Sequence, residues 1–214
     1  VLGYVTVDLD NAPWTVSLHL FMALVVTTSL LTVGFVWWEK QEGLPRKLQV
    51  SKISEKLKKY VWYICIIVLI QLMIGAYLST SYHRAACNIG FYEGWPLCQS
   101  SILPVLNQFG IMLNYGHRVS AVVVGALLLY VEREANNEFK DSKAIVKVML
   151  KTAGIIYFIN ILLGGLYVVT AVDGIFLGWL SLLHLLVGVC VFLTLATTYL
   201  LINISEQEVN NVSN

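Results

Sequence analysis

Five long runs of apolar residues, at 14–38, 60–80, 113–131, 152–172 and 176–203, constrain this chain more than anything else in it. Crossing roughly 30 Å of hydrocarbon as a helix takes about 20 apolar residues, and each run meets or approaches that length. Across all five the only fixed charge is Arg118. A core helix of a water-soluble domain would show a polar stripe at 3.6-residue spacing, and these runs do not. Of the 214 residues, 57% are hydrophobic and 13% charged, too few charges to clothe a soluble domain of that size. The expected fold class is an all-α integral membrane protein, a transmembrane helix bundle with five complete spans.

Orientation follows from the loops. Residues 39–59 hold seven Lys or Arg and residues 132–151 hold five, together twelve of the fourteen in the chain. The segments on the opposite side hold one, Arg84. The positive-inside rule therefore places both basic loops in the cytoplasm. Counting spans from them puts 8–13, 81–112 and 173–175 outside, and the polar tail 205–214 inside. The net charge of +1 indicates no particular charged partner, and nothing indicates nucleic acid.

Residues 1–7 are apolar, but as a helix they rise only roughly 10 Å, about a third of a bilayer. They read as the interior of a helix that starts before the sequence given. An internal repeat supports that expectation. Val1-Leu2-Gly3, an outer turn, Trp14 and then Ser17-Leu18-His19-Leu20 resemble a later stretch. There Leu163-Gly164-Gly165 is followed by an outer turn, Trp179 and Ser181-Leu182-Leu183-His184-Leu185. The expected organisation is a pseudo-repeat of four-helix units. Residues 1–38 end an N-terminal half, as a partial third helix and a fourth. Residues 39–59 form a cytoplasmic linker, 60–203 a complete C-terminal half, and 204–214 a cytoplasmic tail.

His19, His117 and His184 each lie a few residues inside the outer end of a span. An ionisable side chain in a membrane is costly and marks a functional site by default. The plainer alternative is a histidine bonded to a neighbouring helix, but three at matching depth, two of them repeat-related, favour a site. Zinc or copper would want further Cys, His or carboxylate partners at that depth. Cys65 and Cys190 lie nearer mid-membrane, and no span contains Asp or Glu. Two histidines facing each other across a bundle suit the axial positions of a haem iron, with His117 and His184 as the pair. Arg118 either pairs with a haem propionate or snorkels to the interface.

Outside, Cys87 and Cys98 close a loop in an oxidising compartment, either as a structural staple or as a redox-active pair. Gly90, Gly94 and Pro96 mark the loop as irregular, able to fold down as a lid.

In order along the chain stand Gln71 and Gly75, Trp95-Pro96-Leu97-Cys98, His117-Arg118, Leu163-Gly164 and His184-Leu185, with His19-Leu20 ahead of them. In that order, and over essentially the whole length, the sequence resembles the haem A synthases of bacterial and mitochondrial type. The resemblance implies two four-helix halves, with substrate haem O in the N-terminal one and a haem b cofactor in the C-terminal one. It implies oxidation of the C8 methyl of haem O to the formyl of haem A, by successive hydroxylations and loss of water. His117 and His184 would be the haem b ligands, His19 part of the substrate-haem site, and Cys87–Cys98 a disulfide. It further implies a prokaryotic plasma membrane rather than a mitochondrial inner one. Membrane lipid, haem O synthase and cytochrome oxidase assembly would surround the protein there, and a homo-oligomer is compatible with the family.

Two departures stand out. Asn114 occupies the position three before His117 where the family's N-terminal half has a glutamate tied to the chemistry. That glutamate is expected outside this sequence, so no catalytic residue is assigned within it. Cys87 and Cys98 enclose ten residues, wider than the usual family loop. The alternative function is a cytochrome b-type membrane electron carrier that modifies no haem. A transporter or assembly scaffold would need broken helices and midplane charges that the sequence does not have.

Overall fold

A computed structural model describes residues 2–50, 53–140 and 144–212. Val1, which opens the repeat, Lys52 and Lys143 of the basic loops, and the last two residues of the tail lie outside the described residues. The elements are α1 (Leu2–Asp8), α2 (Pro13–Glu42), α3 (Glu55–Thr80), a 3₁₀ turn (Tyr82–Ala85), α4 (Phe109–Glu138), α5 (Ile145–Val169) and α6 (Gly178–Val212). Helices α2 to α6 are each long and apolar enough to cross a membrane. Among the described residues no strand forms, only isolated bridges in the turns. The chain is thus an all-helical membrane bundle.

Why helices, and why these faces, follows from the solvent. In lipid every backbone N–H and C=O must be satisfied within the segment, which a helix does. The buried faces repeat every three or four residues: Leu57, Val61, Ile64 and Val68 on α3, Val124, Leu128, Val131 and Ala135 on α4, Val146, Leu150 and Ala153 on α5. The opposite faces are apolar too, with Val119, Val122, Leu129 and Phe158 exposed. Lipid tails are as apolar as the core, which is why the sequence carries no polar stripe.

The arrangement of the last four helices positions the site. Helix α3 packs against α4 and α6, and α5 packs against the same two, so α4 and α6 stand on a diagonal of the bundle. Helix α2 lies outside this square against α3 and, more lightly, α6, with α1 against α2. Ser17 Oγ bridges to α3 by donating to the Met73 carbonyl at 3.2 Å.

The end remote from the histidines is fastened by polar contacts. Ser54 caps α3, its Oγ accepting from the Leu57 N–H at 3.2 Å. Glu138 of α4 in turn accepts from Ser54 N and Oγ, at 2.5 and 2.6 Å. The Val50 N–H donates to Ser205 Oγ of α6 at 3.0 Å, drawing the linker under the bundle.

Helix boundaries differ from the hydropathy boundaries. Helix α5 stops at Val169 rather than 172, because the chain turns at Asp173 and Gly174, with φ of 52° and 77°, inside a Val172–Ile175 bridge. Beyond residue 203 the tail continues as helix to Val212. Hydropathy marks where lipid ends, whereas a helix ends where its hydrogen bonding is interrupted.

With no hydrophobic drive between helices in lipid, close packing of small side chains holds the bundle. Ala153, fully buried on α5, should not accept a larger residue. Ala153→Leu is expected to destabilise the fold by about 1–3 kcal/mol through overpacking. The lipid-exposed Val148→Leu should be neutral. Thermal unfolding of the detergent-solubilised protein distinguishes the two.

Candidate functional site

The three span histidines lie near the starts of their helices: His19 six residues after Pro13, His117 eight after Phe109 and His184 six after Gly178. At about 1.5 Å per residue, all three lie roughly 9–12 Å inside the same end of the bundle.

Each ring is set against a glycine on the helix that precedes its own. A Cβ on Gly75 of α3 would stand 3.1 Å from His117 Cε1, and one on Gly164 of α5 would stand 2.9 Å from His184 Cε1. A Cβ on Gly3 of α1 would stand 3.5 Å from His19 Cε1, which is ordinary contact. A methyl at Gly164 would therefore force the His184 ring to shift, and one at Gly75 would press the His117 ring back by a few tenths of an ångström.

Hydrogen bonds fix the ring planes. His184 Nδ1 lies 2.9 Å from the Asn160 carbonyl. His117 Nδ1 lies 3.0 Å from Gln71 Nε2, which also donates to the His117 carbonyl at 2.9 Å. Ser120 Oγ donates to Gln71 Oε1 at 2.7 Å. His117 and His184 stand on α4 and α6, the two helices of the diagonal. His19 is not brought to them: it is exposed on α2.

Arg118 does more than snorkel. Its Nη1 donates to the Gly94 carbonyl and, at 2.7 Å, to the Leu97 carbonyl, while Nε donates to Asn114 Oδ1 at 2.9 Å. Asn114 passes the grip on, donating from Nδ2 to the His83 and Arg84 carbonyls at 3.1 and 3.0 Å. Only Nη2 is buried without a partner.

The loop these groups hold lies over the histidines. Cys87 and Cys98 form a buried disulfide, and Cys65 and Cys190 are free. The Trp95 indole rests on Gly165, the neighbour of the glycine under His184, where a Cβ would come within 2.6 Å of the ring. The Gly90 N–H donates to the Val168 carbonyl at the end of α5, at 3.1 Å. One face of the loop is thus tied to α4 beside His117 and the other to α5 beside His184.

The structure brings His117, His184, Arg118 and the disulfide loop to one end of one four-helix square. The sequence reading did not assign Asn160, Ser120 or the seating glycines. A signal existed for one of them, since Gln71 and Gly75 stand four apart, on one helix face toward His117. Two clefts of about 340 Å³ lie elsewhere, one along α2 beside Gly34 and Trp38, the other between α4 and α5 beside Gly125 and Gly154. Neither contains an imidazole or a thiol, so donor chemistry and not cleft size marks the site. Among the described residues no three His, Cys, Asp or Glu come together as a metal cluster.

Fold and site together define a multi-pass helical membrane protein with paired histidines under a disulfide-closed loop. The chain belongs to the COX15-CtaA family, described as cytochrome oxidase assembly protein, whose sequence model matches residues 1–198. A curated relative named heme A synthase, from Shouchella clausii (strain KSM-K16), is 24% identical over 147 residues, covering 68% of this chain and 46% of that protein. The chain spans about half the length of the curated relative it matches.

If Arg118 is the clasp of the loop, Arg118→Gln should loosen it while the disulfide stays closed. The expected result is several-fold faster cleavage at the exposed Tyr92 by a chymotrypsin-like protease, with Cys87–Cys98 still linked on non-reducing mass analysis. Unchanged cleavage would leave the disulfide as the sole fastening.

Proposed function

We propose that this chain carries the haem b-binding half of a haem A synthase, with His117 and His184 as the axial ligands. The observation that carries this reading is the pair of imidazoles on diagonal helices, each seated in a glycine notch. The donor set fits a haem: two imidazoles on diagonal helices, no cluster of three His, Cys, Asp or Glu among the described residues, and one buried guanidinium nitrogen, Arg118 Nη2, left without a partner. That nitrogen is suited to a propionate carboxylate, since a charge-assisted bond would satisfy it.

Bound haem b supplies one-electron redox chemistry. The residues supply the rest. Gly75 and Gly164 fix ring position, Gln71 and Asn160 fix ring plane, and Trp95 with the disulfide loop keeps water from the site. His19, in ordinary contact range of Gly3 between α1 and α2, belongs to a second, repeat-related site that takes the substrate haem O. The reaction is conversion of the C8 methyl of haem O to the formyl of haem A for terminal oxidases. The chain is multi-pass in a prokaryotic plasma membrane, with the histidine end outside and the tail cytoplasmic. Residues 1–38 close an N-terminal half and residues 60–203 form the C-terminal one.

Purified protein reconstituted with haem b should give a six-coordinate low-spin spectrum. His117→Ala and His184→Ala should each abolish it or convert it to a five-coordinate one, and His19→Ala should leave it unchanged. Gly164→Ala, which drives a methyl into the His184 ring, should lower haem retention about tenfold or more. A spectrum indifferent to both ligand substitutions would remove the assignment. Formation of haem A in cells that make haem O, lost on His19→Ala in a full-length relative carrying this segment, tests the enzyme reading against a plain electron carrier.

Orientation is tested separately. Single cysteines placed at exposed positions in 39–50 and 88–106 should react with an impermeant reagent from opposite sides, the second from outside. The reverse pattern would put the histidines at the cytoplasmic face.

A further inference from the structure

The two histidines are oriented by partners of different kinds. A backbone carbonyl only accepts, so the Asn160 carbonyl, 2.9 Å from His184 Nδ1, requires the ring hydrogen on Nδ1. That leaves a lone pair on Nε2, as metal ligation through Nε2 needs. His117 has no such fixed partner. Its Nδ1 faces the Gln71 amide, which can offer either an N–H or an oxygen.

As the side chain stands, Gln71 spends one N–H on His117 Nδ1 and the other on the His117 carbonyl. Nδ1 is then an acceptor, and the ring hydrogen is on Nε2. That tautomer has no lone pair at Nε2. Turning the terminal amide by half a turn about its last side-chain bond presents Oε1 to Nδ1–H. The same turn brings Nε2 to where Oε1 now sits, 2.7 Å from Ser120 Oγ, which accepts. The Ser120 hydroxyl is then free to donate to the His117 carbonyl, 3.0 Å away. The ring loses the Nε2 hydrogen and gains one on Nδ1, so its charge is unchanged; Oε1 then also stands 2.9 Å from the His117 carbonyl oxygen, a repulsive contact that the Ser120 hydroxyl's donation to that carbonyl has to offset.

We propose that Gln71, with Ser120 as its stop, is the positioning residue that selects the ligating tautomer of His117, its amide reversing when Nε2 takes up the haem iron. Gln71 is buried, so water is a poor substitute for it. The inference rests on the haem-ligand reading of His117. It predicts an asymmetric pair: one ligand pre-set by backbone, the other set by a side chain that has to reverse.

The test uses the haem b-loaded protein in detergent. Three quantities are read: haem retention against a competing apo-haemoprotein, the midpoint potential, and the low-spin electron paramagnetic resonance g-values. Gln71→Leu removes both amide roles and should lower haem affinity about 10- to 100-fold, as loss of the partner of a ligating histidine does. Gln71→Glu, as a carboxylate, only accepts. It should retain haem, lower the midpoint potential and shift the g-values, because Nδ1–H bonded to an anion makes the imidazole a stronger donor. Ser120→Ala, a small change unlike the other two, should move potential and affinity in the same direction as Gln71→Leu but less. Wild-type values for all three quantities in both Gln71→Leu and Ser120→Ala would overturn the inference. Failure of His117→Ala to alter the spectrum would instead overturn the ligand reading beneath it, so the two failures are distinguishable.

Discussion

Everything at the histidine end depends on the approach of a glycine to an imidazole. In water such a contact would be incidental, since burying a ring anywhere in a core removes apolar surface from solvent. In lipid that drive is absent between helices, and association rests on shape and on the few polar groups present. At Gly75 and Gly164 the missing Cβ is what admits the ring, at 3.1 and 2.9 Å from where that carbon would be. The same contact sets ring position and helix separation. It leaves α4 and α6 apart on the diagonal while α3 and α5 fill the positions between them.

The disulfide loop exploits this geometry rather than adding a separate layer. Gly164 and Gly165 are adjacent, so one receives the His184 ring and the next receives Trp95 from above. His117 and Arg118 are adjacent too, so one side chain points to the site and the next reaches the Gly94 and Leu97 carbonyls. Two dipeptides on neighbouring helices thereby couple the lid to both rings. Asn114 extends the coupling by holding both Arg118 and the start of the loop. Asn114, three residues before His117, is thus a fastening element between α4 and the loop.

The five spans and the three histidines were legible because the membrane acts on them strongly. Long apolar runs have few alternatives, and a lone histidine within one has a cost that needs a reason. The disulfide partners were legible because Cys87 and Cys98 sit together in one loop between spans, whereas Cys65 and Cys190 are in spans. Helix ends at Val169 and Val212 were not, because hydropathy reports the solvent and not the backbone hydrogen bonds. Asn160 was not legible either. It acts through its main-chain carbonyl, which any residue at that point would supply, so its identity carries no signal of the contact.

The repeat gains physical content from the same reasoning. A likeness between Val1-Leu2-Gly3…His19 and Leu163-Gly164…His184 could be no more than two apolar stretches sharing letters. In space the glycine of each segment is the one that faces the histidine of the next helix, Gly3 to His19 and Gly164 to His184. The pair at α3 and α4 repeats the contact with Gly75 and His117, although its local sequence is different. All three helix pairs set a glycine beside an imidazole, closely at Gly75 and Gly164 and in ordinary contact at Gly3. What differs is the partner on Nδ1: a carbonyl for His184, a reversible amide for His117. A site built by duplication would be expected to keep the packing rule, because a Cβ in the notch displaces the ring. It would vary the hydrogen-bond partner, because changing that partner retunes the ring without moving the helices. The contrast between Asn160 and Gln71 falls where that argument leaves room for it.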